Sequence, residues 1–139
     1  MGRVLGIDYG ERRVGLALSD PMKIIASPFK TLNHSTAENL ISEFKIIIID
    51  KDIDSIVIGL PIGLKGNDTI QTKKVRHFAS SIADLGIPIQ LEDERFSTMS
   101  AKRSLILQKI KTGHDKAAVD RTAAAILLQQ YLDKHLRGY

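Results

Sequence analysis

Three groups of acidic residues, far apart in the chain, have the residue types that a hard metal ion requires. Asp8 ends a short apolar stretch, Glu92–Glu94 follow another, and Asp120 lies in an alanine-rich segment. An aspartate at the end of a buried strand is costly unless it meets a cation or several donors. Carboxylate oxygens suit magnesium or manganese, which can activate water and stabilise the leaving oxygen of a phosphodiester. We therefore predict a Mg²⁺ or Mn²⁺ site for hydrolysis.

Each acidic group also has an ordinary structural explanation. Asp8 could accept hydrogen bonds in a turn, Glu92–Glu94 could be a solvated strand end, and Asp120 could pair with Lys116 one helical turn earlier. Strand alternation places Asp93 and Glu94 on opposite faces, so periodicity leaves open which of them points into the site.

The excess positive charge lies in one segment. The chain has 20 basic and 16 acidic residues, a net charge of +4, and the segment Arg95–Arg121 contains seven of the basic and two of the acidic ones. A polyanionic backbone binds to such cations, although solvated helices would have the same composition. The predicted phosphate contacts are Arg12, Arg13, Arg95, Lys102, Arg103 and Lys116.

Composition excludes several classes of protein. With 139 residues, 43% of them hydrophobic, the chain is expected to form one domain, residues 1–139. The absence of cysteine excludes disulfides, zinc ribbons and thiol nucleophiles, and it fits a cytoplasmic location. Apolar runs such as Ile46–Ile49 are too short to span a membrane, and no secretory signal is visible.

Hydrophobic periodicity predicts the order βββαβαβαα, an α/β fold with a mixed five-stranded sheet flanked by helices. The first helix is predicted to begin at a capping box on Ser35 and the second after Asn67 or Asp68. The predicted strands are 4–8, 14–19, 24–32 with a bend near Pro28, 55–59 and 89–93, and the last two helices span 97–110 and 116–136.

Four motifs in this order resemble the YqgF/RuvX family over nearly the whole chain. They are GIDYG at 6–10 with RVGLA at 13–17, VIGLP at 57–61, DERFST at 93–98, and Asp120 in its alanine-rich helix. The resemblance implies a ribonuclease H-like fold and a cytoplasmic, ribosome-linked nuclease that matures the 5′ end of pre-16S ribosomal RNA. It also implies that Asp8 and Glu94 are catalytic metal ligands, Asp120 a third, and Arg95 a phosphate contact.

One departure from the wider fold concerns the fourth strand. Ribonuclease H and true junction resolvases have an acid at its end, where this chain has Gly59-Leu60-Pro61. Asp93 could supply the missing ligand.

Other functions stay open at this stage. The same acids could cleave branched DNA, because only contacts to the 2′-hydroxyl distinguish RNA from DNA. The chain could also be a non-catalytic ribosome-assembly factor. Whatever the function, we expect a monomer or weak homodimer. The Asp8 loop resembles that of actin-like ATPases and sugar kinases, but those enzymes close on a nucleotide with two such domains.

Overall fold

A mixed sheet of five strands, in the order β3-β2-β1-β4-β5, organises the chain in the computed structural model, which describes residues 2–34, 36–94 and 116–136. β1 pairs antiparallel with β2, and β2 with β3, whereas β1–β4 and β4–β5 are parallel. This confirms the predicted sheet. The strands are β1 Arg3–Tyr9, β2 Arg13–Ser19, β3 Ala26–Asn33, β4 Ile53–Leu60 and β5 Ile89–Asp93.

Three α-helices accompany the sheet within the described ranges: α1 Ala37–Asp50, α2 Ile70–Ser81 and α3 Lys116–Tyr131. A 3₁₀ turn, Ala83–Leu85, follows α2, and a π-helical turn, Leu132–Leu136, continues α3. The predicted helix 97–110 lies outside the described residues. No helix in the described part of the chain is long and apolar enough to cross a membrane.

The predicted capping residues of the first two helices differ from those in the structure, because other side chains make the capping hydrogen bonds. Thr69, rather than Asn67 or Asp68, caps α2 by accepting from the Thr72 N–H, while Asp68 pairs with Arg76. Thr36 caps α1, and Ser35 lies outside the described residues.

The start of β3 also differs from its prediction. β3 begins at Ala26 because the Ile24 and Ile25 N–H groups donate to the Asp20 carboxylate at 2.7 and 2.8 Å. The bend expected at Pro28 coincides with a register shift opposite Leu16 and Ala17, since proline has no N–H for the ladder.

The two faces of the sheet are built from side chains of different size. Large aliphatic residues such as Leu5, Ile7 and Ile58 face α1 and α2 and form the larger core. The opposite face, against α3, presents small residues, which alternate with the large ones along the strands. They are Gly6, Gly15, Ala17 and Gly59. Gly6 meets Ala124 and Leu128, Gly15 meets the Asp120 backbone, Ala17 packs with Ala124 and Ala125, and Gly59 lies beside Leu127.

Because these residues are small, α3 approaches the sheet backbone closely. A Cβ added at Gly15 would clash with the backbone carbonyl of Asp120, and one at Gly6 would lie 2.9 Å from the Leu128 Cβ. The glycine at position 15 therefore sets the depth at which Asp120 sits over β2.

We predict that Gly15→Ala lowers the free energy of unfolding by about 1–3 kcal/mol, because α3 must move away from β2. Urea denaturation measures the change. Gly63→Ala is the matched control, since its added Cβ meets only the Asn67 side chain in a loop. Equal stability of Gly15→Ala and wild type would contradict the close packing.

Candidate active site

A cleft of about 370 Å³ opens at the carboxyl ends of the parallel strands. Because β1, β4 and β5 run in the same direction, the residues that end them meet at one edge of the sheet, where α/β folds usually bind ligands. Asp8 from β1, Glu94 just after β5, and Asp120 from α3 all line this cleft. The tertiary structure thus brings together the three acids that the sequence singled out.

The choice between Asp93 and Glu94 follows from the way β5 presents its side chains. Glu94 lines the cleft, and its backbone N–H donates to the Leu60 carbonyl at 3.2 Å, whereas Asp93 is not among the lining residues. Glu92 shares the face of Glu94 but is only 3% exposed, and it pairs with His135 at 2.9 Å and Lys134 at 3.6 Å. Of these three consecutive acids, the cleft therefore receives Glu94.

Gly59 makes room for the Glu94 carboxylate. A Cβ at this position would overlap Glu94 Oε1 and lie 2.9 Å from the Leu127 Cδ2. The end of β4 has no acid in this chain. The carboxylate of Glu94, which follows the next strand β5, occupies the space beside Gly59. The departure noted in the sequence therefore has a steric explanation.

Arg13 and Asp120 form an ion pair, with 2.5 Å between Arg13 Nε and Asp120 Oδ2. Their side chains are 25% and 20% exposed, so the pair is partly buried. The sequence predicted separate roles for them, a metal ligand and a phosphate contact. In the structure the two side chains pair with each other instead.

The remaining predicted phosphate contacts have different positions. Arg12 is exposed in the turn after β1, and Lys116 is exposed at the start of α3, one turn before Asp120. Arg95, Lys102 and Arg103 lie outside the described residues.

The donors in the cleft fit a hard divalent cation in type, because Asp8, Glu94 and Asp120 offer carboxylate oxygens, and Glu11 in the turn after β1 adds a fourth carboxylate to the lining. Among residues 2–34, 36–94 and 116–136, no three carboxylate or imidazole groups are already gathered to hold an ion together, and Asp120 is held by Arg13. Binding an ion here requires Asp120 to exchange its partner.

Several lining residues had not been predicted as site residues, among them Glu11, Tyr9 and Gln71. The Gln71 Nε2 donates to the Tyr9 carbonyl at 3.0 Å, and within the described part of the chain its Oε1 is buried without a hydrogen-bond partner. Tyr9 stacks on Phe78 with 4.2 Å between ring centroids, and burial raises the pKa of its phenol, which is therefore neutral near pH 7. Tyr9 could have been found from its place beside Asp8, but Gln71 has no distinguishing sequence signal.

A family model described as "RuvX: Holliday junction resolvase" matches residues 2–134. The chain belongs to the RuvX family. Two relatives named "putative pre-16S rRNA nuclease" are similar to it over most of their length. The relative from Dictyoglomus thermophilum is 42% identical over 94% of this chain and 95% of its own. The relative from Maridesulfovibrio salexigens is 41% identical over 94% and 97%.

Among solved structures, this RuvX-family chain is similar to Thermus thermophilus RuvC in complex with a Holliday junction substrate. The TM-score is 0.59 at 12% identity, covering 98% of this chain and 96% of that one. At this identity the likeness concerns the fold, and it confirms the ribonuclease H-like architecture.

We predict that Gly59→Ala displaces the Glu94 carboxylate, because the end of the Glu94 side chain can move more easily than the backbone of β4 can. Manganese affinity, followed by paramagnetic relaxation of water protons, should fall about 10-fold or more, as for other changes beside a metal ligand. Circular dichroism should be unchanged. The same substitution at Gly63 is the control, and unaltered manganese affinity in Gly59→Ala would contradict a ligand role for Glu94.

Proposed function

We propose that this chain is a metal-dependent endonuclease that processes the 5′ end of pre-16S ribosomal RNA. The convergence of Asp8, Glu94 and Asp120 on one cleft is the observation that carries the proposal. The family membership and the name shared by the D. thermophilum and M. salexigens relatives support the substrate. Such a protein would act in the cytoplasm on the small-subunit precursor, as a monomer or weak homodimer.

The three carboxylates would hold Mg²⁺ or Mn²⁺. When bound, such an ion activates water and stabilises the leaving oxygen of a phosphodiester. Asp8 and Glu94, from two parallel strand ends, form the rigid part of the site, and Asp120 approaches from α3. Arg12, Lys116, Arg95, Lys102 and Arg103 would contact the phosphates on either side.

Arg13 couples the binding of substrate to the release of the Asp120 carboxylate, which can then bind a metal ion. A guanidinium binds phosphate with geometry as good as it binds carboxylate, so an arriving RNA phosphate competes with Asp120 for Arg13. Release from Arg13 leaves the Asp120 carboxylate able to turn toward Asp8 and Glu94. Arg13 would then contact a phosphate first, and Asp120 would become a metal ligand afterwards.

Cleavage of branched DNA is the second candidate. It is favoured by the similarity in fold to a resolvase bound to a Holliday junction and by the description of the family. The same carboxylates would serve either backbone, whereas the 2′-hydroxyl distinguishes the substrates. A paired assay on a 5′-extended pre-16S transcript and a synthetic four-way junction, each with Mg²⁺ and with chelator, separates the two.

A non-catalytic assembly factor is the third candidate. It is favoured by the lack of a preassembled ligand group among the described residues. Binding of the transcript without cleavage at any Mg²⁺ or Mn²⁺ concentration would support it.

We predict that Asp8→Asn lowers the cleavage rate of the pre-16S transcript by about 100-fold or more, because a metal contributes several kcal/mol to such a transition state. The rate is measured under single-turnover conditions. Asp84→Asn, at an exposed position after α2, is the matched control and should cleave at the wild-type rate. Normal cleavage by Asp8→Asn would refute the catalytic assignment.

We also predict different effects at the two neighbouring acids of β5. Glu94→Gln should lose cleavage as Asp8→Asn does, since its carboxylate lines the cleft. Asp93→Asn should retain activity within about threefold and an unchanged Mg²⁺ dependence, as expected of a side chain away from the reacting atoms. The reverse result would assign the ligand role to Asp93.

A further inference from the structure

A second groove lies beside the cleft, on the α2 side of β1. It has a volume of about 350 Å³ and is lined by Tyr9, Ile70, Lys73, Lys74 and His77, which we call the α2 groove. Tyr9 lines both the cleft and the α2 groove, so the two are neighbours separated by one side chain. A chain that leaves the cleft past Tyr9 therefore enters this groove.

The α2 groove is positively charged. Helix α2 contains Lys73, Lys74, Arg76 and His77 and no acidic residue. Arg76 is neutralised by Asp68 at 2.9 Å, but Lys73 and Lys74 are exposed and make no ion pair within the described residues. Two unneutralised ammonium groups on one turn of helix are a binding site for a polyanion.

The groove also offers apolar surface to bases. Ile70 is 76% exposed at its edge, and the Tyr9 ring stacks on Phe78 with 4.2 Å between the ring centroids. Exposed apolar and aromatic groups beside cations are typical of surfaces that bind unpaired nucleotides. The Gln71 bond to the Tyr9 carbonyl fixes α2 to the end of β1, so the groove has a defined position relative to Asp8.

We propose that the α2 groove binds the RNA strand that flanks the cleaved bond, with its phosphates on Lys73 and Lys74 and a base against Ile70 and Tyr9. This inference rests on the proposed function. It places a substrate contact on α2, in residues that the sequence did not single out.

The test compares a Lys73→Ala/Lys74→Ala double variant with a control that removes the same charge. Lys30→Ala/Lys51→Ala is that control, because both lysines lie about 5.7 and 5.6 Å from the Phe29 ring, away from the cleft lining. Binding of the 5′-extended pre-16S transcript is measured by fluorescence anisotropy in chelator, so that no cleavage occurs.

We expect the α2 double variant to bind the transcript about 10-fold more weakly at low salt. The slope of log affinity against log salt should decrease by about 1.4, the value for two phosphate contacts to a single strand. With Mg²⁺ present, KM should rise while kcat stays near that of wild type, because the lysines do not touch the reacting atoms. The control should behave as wild type.

Equal affinity and slope in the α2 double variant and wild type would overturn the inference, and so would an equal loss in the control, which would reflect net charge alone. Neither result affects the catalytic proposal, which the cleavage rates of wild type and Asp8→Asn test separately. Weaker binding to the four-way junction but not to the transcript would assign the groove to DNA and overturn the RNA proposal.

Discussion

The close approach of α3 to the sheet is the constraint on which the candidate site depends. Asp120 is far from Asp8 in sequence, and only a helix lying directly on β1 and β2 can bring its carboxylate to the same cleft. That approach requires small residues on both surfaces, which Gly6, Gly15 and the alanines of α3 supply. The larger cluster of aliphatic and aromatic side chains lies on the opposite face, where α1 and α2 bury it.

Gathering carboxylates in one cleft is electrostatically unfavourable, and the structure offsets this with cations from elsewhere in the chain. Arg13 pairs with Asp120, and Lys134 and His135, in the π-helical turn that continues α3, contact Glu92. The acids of β5 are thereby divided, with Glu92 in a structural pair and Glu94 in the site. A local charge cluster in the sequence thus has two separate roles in the fold.

In this chain the acid that lies beside the end of β4 comes from the residue after the neighbouring strand, β5. Gly59 at the end of β4 leaves space, and Glu94 after β5 enters it. Tyr9 connects this site with the α2 groove, since its ring lines both and Gln71 fixes its backbone to α2. The residue next to Asp8 therefore belongs to the surface that a substrate strand would follow.

The sequence by itself determined the five strands, most of the helix positions, and Asp8 and Asp120 of the cleft, because alternation and helical periodicity are local properties that survive folding. It did not decide between Asp93 and Glu94, since alternation tells which residues share a face but not which helix covers that face. The Thr69 cap, the Arg13–Asp120 pair and the lysines of the α2 groove were likewise missed. Each depends on which distant or competing partner a side chain meets, and only the tertiary structure decides that.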